Sequence, residues 1–353
     1  MSEILKCPFP YFGGKAEIAP EIWKRFGRVP NYIEPFFGGG AVLLARPEPF
    51  DGVETVNDAD GFICNFWRAV QSAPEKVAEF ADNPVNENDQ HARHFWLTER
   101  KETIAPKLEG DPEWFDAKTA GWWCWLMCCY IGSRMCSGEG PWTVQMIDGV
   151  RQLIHLSDAG RGVNRQLIHL STTGMGVNRQ RIHLSDAGRG ETASESILPV
   201  NIGIYDWMRQ LAVRLSRVRV CCGDWTRVCG GKSGDALQHF FAGGNKCAIF
   251  LDPPYSAEAG RDNKIYRKED LTVAHDVREW AVAHGNDPRL RIALAGYDGE
   301  HEMPNGWTVH KWKAHGGYSS VSDDEDSAGK QNCKRERIWF SPHCLPPEQA
   351  ALL

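Results

Sequence analysis

No two of the 12 cysteines stand in a CxxC pair, so the close spacing of a zinc site or redox dithiol is missing. Cys124, Cys128 and Cys129 fall instead at helical spacing in the tryptophan-rich stretch Trp122 to Tyr130, which favours buried thiols over metal ligands, and no metal is expected. Long apolar runs are missing too. Nothing approaches the roughly 18 uninterrupted apolar residues of a membrane span, and the N-terminus has no signal-peptide core, so the expectation is a cytoplasmic protein without membrane attachment. An excess of positive charge is absent as well: the formal charge is −6, and any nucleic-acid contact would need a local basic patch. What remains, at 42 % apolar and 24 % charged residues, is a globular chain. Its 353 residues fit one large α/β unit with a sizeable insertion, or two domains.

The chain is organised around Leu251-Asp252-Pro253-Pro254-Tyr255. The apolar run Ala248-Ile249-Phe250 reads as a buried strand, and two prolines stop it because proline lacks the N–H that a central strand needs. A carboxylate, two rigid carbonyl-bearing residues and an aromatic ring are thereby presented at a strand's carboxyl end, where open α/β sheets hold their ligands. The set suits a flat, amine-bearing ring: Asp252 and a proline carbonyl accept from an exocyclic NH2, and Tyr255 offers a stacking face. Taken alone, the tetrapeptide reads equally well as a strand followed by a Pro-Pro turn.

Earlier segments add to it. Pro10-Tyr11-Phe12-Gly13-Gly14-Lys15 precedes a helical pattern in Ile18, Ile22 and Phe26, with Lys15 placed to meet a carboxylate or phosphate. Tyr32-Ile33-Glu34-Pro35-Phe36-Phe37-Gly38-Gly39-Gly40, followed by the apolar run Ala41 to Ala45, reads as strand, glycine-rich turn and helix. It is not GxGxxG, so a dinucleotide is disfavoured. Val53 to Asp58 supplies the acidic strand end expected about 20 residues on, with a solvated turn carboxylate as the plainer reading of Asp58. Helices are expected from Gly61 to about Ala120, with Trp67, Val70, Val77 and Phe80 as core and Pro84 to Gln90 as a polar loop.

Between Gly149 and Gly190 lies an internal repeat in three copies of about 14 residues. The motif Gly149 to Ser157 recurs at Gly162 to Ser171 and Gly176 to Ser185, each copy a short β-like run between glycine-containing turns. Arg151, Arg161, Arg165, Arg179, Arg181 and Arg189 face only Asp158 and Asp186. Such ribbons read equally as a phosphate-tracking surface or as a surface insertion.

A helix is expected over Tyr205 to Leu215 and a strand over Arg217 to Trp225. Asp224, at that strand's end, is either a second contact for a purine amine or a helix cap. Glu258 to Asp270, with Tyr266 and Arg267, reads as a polar loop beside the Pro-Pro turn. A helix over Val273 to Ala283 and strands over Arg291 to Ala295, Trp307 to Lys311 and Arg335 to Phe340 follow. His315 to Lys334 reads as a mobile linker.

Taken together, PYFGGK, EPFFGGG, Asp58, Asp224 and LDPPY resemble the D12-class, Dam-like, alpha-type N6-adenine DNA methyltransferases over residues 8 to 68 and about 217 to 340. The resemblance implies a Rossmann-like S-adenosylmethionine-dependent methyltransferase sheet with an inserted target-recognition region. It assigns 1–68 and 217–345 to a discontinuous catalytic domain, 69–216 to a helical target-recognition region carrying the repeat at 149–190, and 346–353 to a tail. It implies Asp252, Pro253, Pro254 and Tyr255 as catalytic residues. Tyr11, Lys15, Glu34, Pro35, Phe36, Gly38, Gly40, Asp58, Asp224 and Asp252 become the residues that bind S-adenosyl-L-methionine. Tyr11 stands where the family commonly has tryptophan, and Leu294-Ala295-Gly296-Tyr297 where a Leu-Ser-Asn-like strand end is expected.

The implied activity is site-specific, adenine-specific DNA methylation at N6 by direct in-line transfer to a base flipped out of double-stranded DNA. Arg151, Arg165, Arg179, Arg181, Tyr266 and Arg267 are the candidate DNA contacts. The expected setting is a bacterial or phage-infected cell, with restriction–modification as the associated context and a protein that is monomeric, or dimeric on DNA. Three alternatives differ at one residue or at none: RNA N6-adenine enzymes more often carry Asn before Pro-Pro-Tyr, N4-cytosine enzymes favour Ser, and a non-catalytic DNA-binding protein would keep the sheet as scaffold.

Overall fold

The structure is a computed structural model that describes residues 5–11, 13–48, 52–129, 142–147, 150–155, 203–230, 245–255, 273–312 and 335–347. It divides into two compact units, one of Met1–Ile4, Phe12–Ala59 and Arg217–Leu353, the other of Leu5–Tyr11 and Asp60–Ser216. In chain order the strands are β1 (Asn31–Glu34), β2 (Val53–Asp58), β3 (Trp142–Ile147), β4 (Val150–His155), β5 (Val218–Cys222), β6 (Cys247–Leu251), β7 (Leu290–Tyr297), β8 (Thr308–Lys311) and β9 (Glu336–Phe340).

The first unit is a seven-stranded sheet in the order β5-β2-β1-β6-β7-β9-β8, an α/β architecture consistent with a methyltransferase fold. β5, β2, β1, β6 and β7 run parallel, and β9 runs antiparallel to both β7 and β8. From β1 the chain builds outward to β2 and β5, then returns to place β6 on the other side of β1. The strand order therefore reverses between β1 and β6, and open sheets bind ligands beyond the carboxyl ends of the strands at such a point.

Burial explains why these segments are strands. Every residue of β6 is buried, as a central parallel strand covered on both faces requires, and the run is continuously apolar instead of alternating. Ile249 and Leu251 pack with Ile33, Ile292, Leu294, Val277 and Trp280, the last two from helix Val273–His284. At roughly 1.5–3 kcal/mol per large apolar side chain removed from water, this cluster holds the centre of the sheet. Helix Ala19–Phe26 supplies Trp23 and Phe26, whose rings lie 4.8 and 6.3 Å from Tyr32. β5 sets the exposed Arg219 between the buried Val218 and Val220.

The second unit contains the helices Gly61–Ser72, Pro74–Ala81, Glu87–Gly110, Ala117–Cys129 and Ile204–Leu215. Phe9 enters its core edge-on against Phe66 and Trp123, with ring centroids 5.0 and 4.7 Å away. Trp67, Val70 and Val77 are fully buried, whereas Phe80 is only half-buried. The polar stretch Pro84 to Gln90 is not a loop throughout. The Asn86 side chain accepts from the Asp89 amide at 2.8 Å and starts a helix at Glu87, a capping contact that outweighs the polar composition. Within the first repeat copy, β4 pairs antiparallel with β3 and sets Arg151 opposite Met146. Copies two and three, the loop Glu258 to Asp270 and the linker His315 to Lys334 lie outside the described residues.

Candidate active site

The two glycine-rich and proline-rich turns meet because β1 is hydrogen-bonded to both β2 and β6. At the end of β1, the Phe37 amide donates to the Asn57 carbonyl at 2.9 Å and the Gly38 amide to Asp58 Oδ2 at 2.9 Å. Asp58 is therefore tied to the glycine turn while remaining half-buried, with a carboxylate at the strand's edge. Gly38 and Gly40 have φ of 47° and 66°, in the left-handed region that glycine occupies without strain. A Cβ on Gly40 would also lie 2.7 Å from the Phe37 ring.

Asn57 ties three segments together. Its buried Nδ2 donates to the carbonyls of Pro35 (3.1 Å) and Gly223 (3.0 Å), while the Gly223 amide donates to the Asp58 carbonyl at 2.9 Å. Asp224 is exposed, and its Oδ1 accepts from the Thr226 amide at 2.9 Å and from the Thr226 hydroxyl, just ahead of the short helix Thr226–Cys229. Phe36 is half-buried, its ring 6.2 Å from that of Trp225.

Beyond β6, Lys15 Nζ lies 2.9 Å from Asp252 Oδ2, donates to the Gly13 carbonyl at 2.8 Å, and stands 4.0 Å from Glu336 Oε2. The Lys15 side chain is 4 % exposed and that of Asp252 20 %, so the carboxylate, not the ammonium, reaches outward. Tyr255 is buried against Tyr297, edge-on with centroids 4.5 Å apart, and its hydroxyl donates to Glu336 Oε2 at 2.7 Å. The same hydroxyl lies 3.4 Å from Asp252 Oδ1, longer than an ordinary O–H···O bond. Pro253 is buried and Pro254 half-buried.

Burial governs the titration of this cluster. It pushes the Glu34 carboxyl up to about 8, against the hydrogen bond that Glu34 accepts from the Tyr32 hydroxyl at 2.8 Å. Burial likewise raises Asp252 and Glu336 above the ordinary carboxyl range, with Lys15 opposing the rise in both. Burial alone would lower Lys15, but attraction to Asp252 and Glu336 outweighs it and holds the ammonium charged. Glu34, pushed up to about 8, favours its protonated form at neutral pH, and the Lys15 ammonium faces the carboxyl groups of Asp252 and Glu336.

The structure thus brings Lys15, Glu34 and Asp252 to Tyr255 together at the strand reversal, and Gly38 to Asp58 at the neighbouring strand ends. Tyr11 belongs to the second unit, where its ring stands 6.4 Å from Phe9. Arg151 is placed on β4 by its backbone, and Arg165, Arg179, Arg181, Tyr266 and Arg267 lie outside the described residues. Asn57 and Glu336 were not singled out by sequence reading. Nothing local marked them, since each stands among other polar residues of its segment, Glu54, Thr55 and Asp58 around Asn57, and Arg335 and Arg337 around Glu336. Among the described residues, no group of three or more His, Cys, Asp or Glu side chains is placed to hold a metal ion. Nor is any described helix long and apolar enough to cross a membrane.

A seven-stranded α/β sheet with a glycine turn, an acidic strand end and a lysine–carboxylate cluster at its strand reversal is consistent with a methyltransferase fold. Residues 11–113 match the family model of the D12 class N6 adenine-specific DNA methyltransferase. The match contains Lys15, Glu34, Gly38, Gly40 and Asp58; Asp252 to Tyr255 lie beyond it. It supports DNA adenine methylation as the general activity, with S-adenosylmethionine as the donor the family implies. No curated protein matches the chain.

Proposed function

We propose that the chain is a site-specific DNA methyltransferase that methylates N6 of adenine in double-stranded DNA. The observation that carries this is the Lys15–Asp252 pair at the strand reversal, which fixes Asp252 beside the Pro-Pro turn while leaving part of its carboxylate exposed. Catalytic work is assigned to the first unit, and target recognition to the helices and the repeat.

The residues fit S-adenosylmethionine. Side-chain-free backbone at Gly38 and Gly40 admits close approach, Asp58 offers a half-buried carboxylate for ribose hydroxyls, and Asp252 keeps part of its carboxyl group exposed at the strand reversal. Within the first unit, Lys15, Glu34, Pro35, Phe36, Asp224 and Asp252 complete the assigned binding set. When bound, the donor supplies an electrophilic methyl group.

The chain's own residues address the poor nucleophilicity of N6, whose lone pair is delocalised into the ring. Hydrogen bonds from the amine to Asp252 and to the Pro253 carbonyl favour a pyramidal nitrogen with its lone pair directed at the methyl carbon. As the C–N bond forms, the amine becomes more acidic, and Asp252 is positioned to take its proton. The assigned contribution is alignment and electrostatics, without a covalent enzyme intermediate. Extruding the base costs a few kcal/mol, which stacking on Tyr255 helps to offset.

Mapping N6-methyladenine in DNA from cells expressing the protein tests the reading. Methylated adenines in one sequence context are expected, and their loss in Asp252→Ala. Methylation that persists near the wild-type rate in that variant removes the assignment, and label transferred only to RNA favours the RNA alternative.

A further inference from the structure

The Tyr255 hydroxyl stands between two carboxylates and has one hydrogen to give. It gives it to Glu336 at 2.7 Å, leaving Asp252 Oδ1 with a 3.4 Å contact. Lys15 is shared in the same sense, lying against Asp252 Oδ2 with Glu336 at 4.0 Å. Glu336 therefore draws on both groups that would otherwise saturate Asp252. We propose that Glu336 is a positioning residue that holds the Tyr255 hydroxyl and part of the Lys15 charge, keeping Asp252 Oδ1 open and basic toward the substrate amine.

The fold supports this. Glu336 is the first residue of β9, paired with Tyr297 of β7, and Tyr297 packs edge-on against Tyr255. The antiparallel strand thus delivers a buried carboxylate to a site built mainly from the ends of parallel strands. Arg335 sits 5.2 Å from the centre of the Tyr297 ring, and Arg337 pairs with Asp298 at 2.8 Å. Among the described residues, the charged or titratable groups acting on Asp252 and Glu336 include Lys15, Tyr255, Glu300 and, toward Asp252, Glu34.

The inference rests on the proposed function for its kinetic arm only. Glu336→Gln keeps shape and removes charge, so Lys15 falls wholly to Asp252, whose carboxyl becomes more acidic and less basic toward the amine. In single-turnover methylation, a loss of about 10- to 100-fold is expected, a fraction of the roughly 10²–10⁴-fold that a positioned general base contributes, because Glu336 acts through Asp252. Donor affinity should stay within about twofold, and the acid limb of the rate profile should move to lower pH. The loss should be smaller in a Tyr255→Phe background, because the hydroxyl that Glu336 restrains is gone.

Carbon-13 NMR titration of the Asp252 carboxyl in wild type and Glu336→Gln reads the same coupling without turnover. A lower Asp252 midpoint in the variant supports the inference even if the wild type methylates nothing, an outcome that would overturn the proposed function alone. An unchanged midpoint overturns the inference whatever the polymer methylated. So does a rate loss that is equal in both backgrounds with no movement of the acid limb.

Discussion

Lys15 and Asp252, separated by most of the chain, form an ion pair of 2.9 Å between a side chain that is 4 % exposed and one that is 20 % exposed. The pair joins the N-terminal turn to the end of β6, and Glu336 stands on its other side. Removing the ammonium leaves two carboxylates facing each other in a poorly hydrated site.

Lys15→Met should therefore destabilise the protein by about 3 kcal/mol at neutral pH, the scale seen when one partner of a buried pair is deleted. The deficit should shrink on acidification, as Asp252 and Glu336 take up protons. Urea unfolding at several pH values measures it, and a deficit independent of pH would show that the carboxylates are not the cause.

Asn57→Ala removes the amide that serves the carbonyls of Pro35 and Gly223 at 3.1 and 3.0 Å. With both carbonyls left in a buried setting, a loss of about 2 kcal/mol is expected. Donor binding should weaken in parallel, because both carbonyls belong to the turns that flank Asp58. Calorimetric titration with S-adenosylmethionine, set beside thermal melting, separates the two effects.

Asp58→Asn keeps an acceptor for the Gly38 amide but removes the charge. The glycine turn should stay in place, with a melting temperature within a few degrees of wild type, while donor affinity falls by about tenfold. A large loss of stability with unchanged affinity would reassign Asp58 to a structural role.

Glu34 gives a pH dependence of definite sign. Its carboxyl is raised from 4.5 to about 8 in the fold, so the folded state prefers the protonated form. Its contribution is complete below the unfolded value and is lost as pH rises through the folded one. Relative to Glu34→Gln, which stays neutral, the wild type should lose about 3 kcal/mol between roughly pH 4.5 and pH 7. Parallel stability curves for the two proteins would contradict the assignment.

Deletion of residues 162–190, which hold two of the three repeat copies, should weaken DNA binding and flatten its salt dependence, since it removes Arg165, Arg179 and Arg181. Fluorescence anisotropy across a salt series tests this. Unchanged affinity and target choice would make the repeats a surface insertion.

How much was legible from residue order alone varies by element. β6 and its stop were readable because continuous apolar residues followed by two prolines admit few alternatives. β2, β5, helix Val273–His284 and β9 were readable from their patterns, to within two or three residues at their ends. The helix beginning at Glu87 was misread at its start because local polarity obscured a cap formed by a single side chain.

The sequence by itself determined the chemical groups and their attachment to strand ends: Glu34, Gly38 and Asp252 each follow or close an apolar run, and Asp58 closes a β-like segment about 20 residues after the glycine turn. Only the tertiary structure decided their partners. The strand order β2-β1-β6, which no local pattern encodes, sets Asp58 beside Gly38 and brings Asp252 to Lys15. The antiparallel return of β9 brings Glu336 to Tyr255. Strand identity is written in local burial patterns, whereas strand adjacency comes from long-range pairing within a shared core, and adjacency is what turned separate carboxylates into one site.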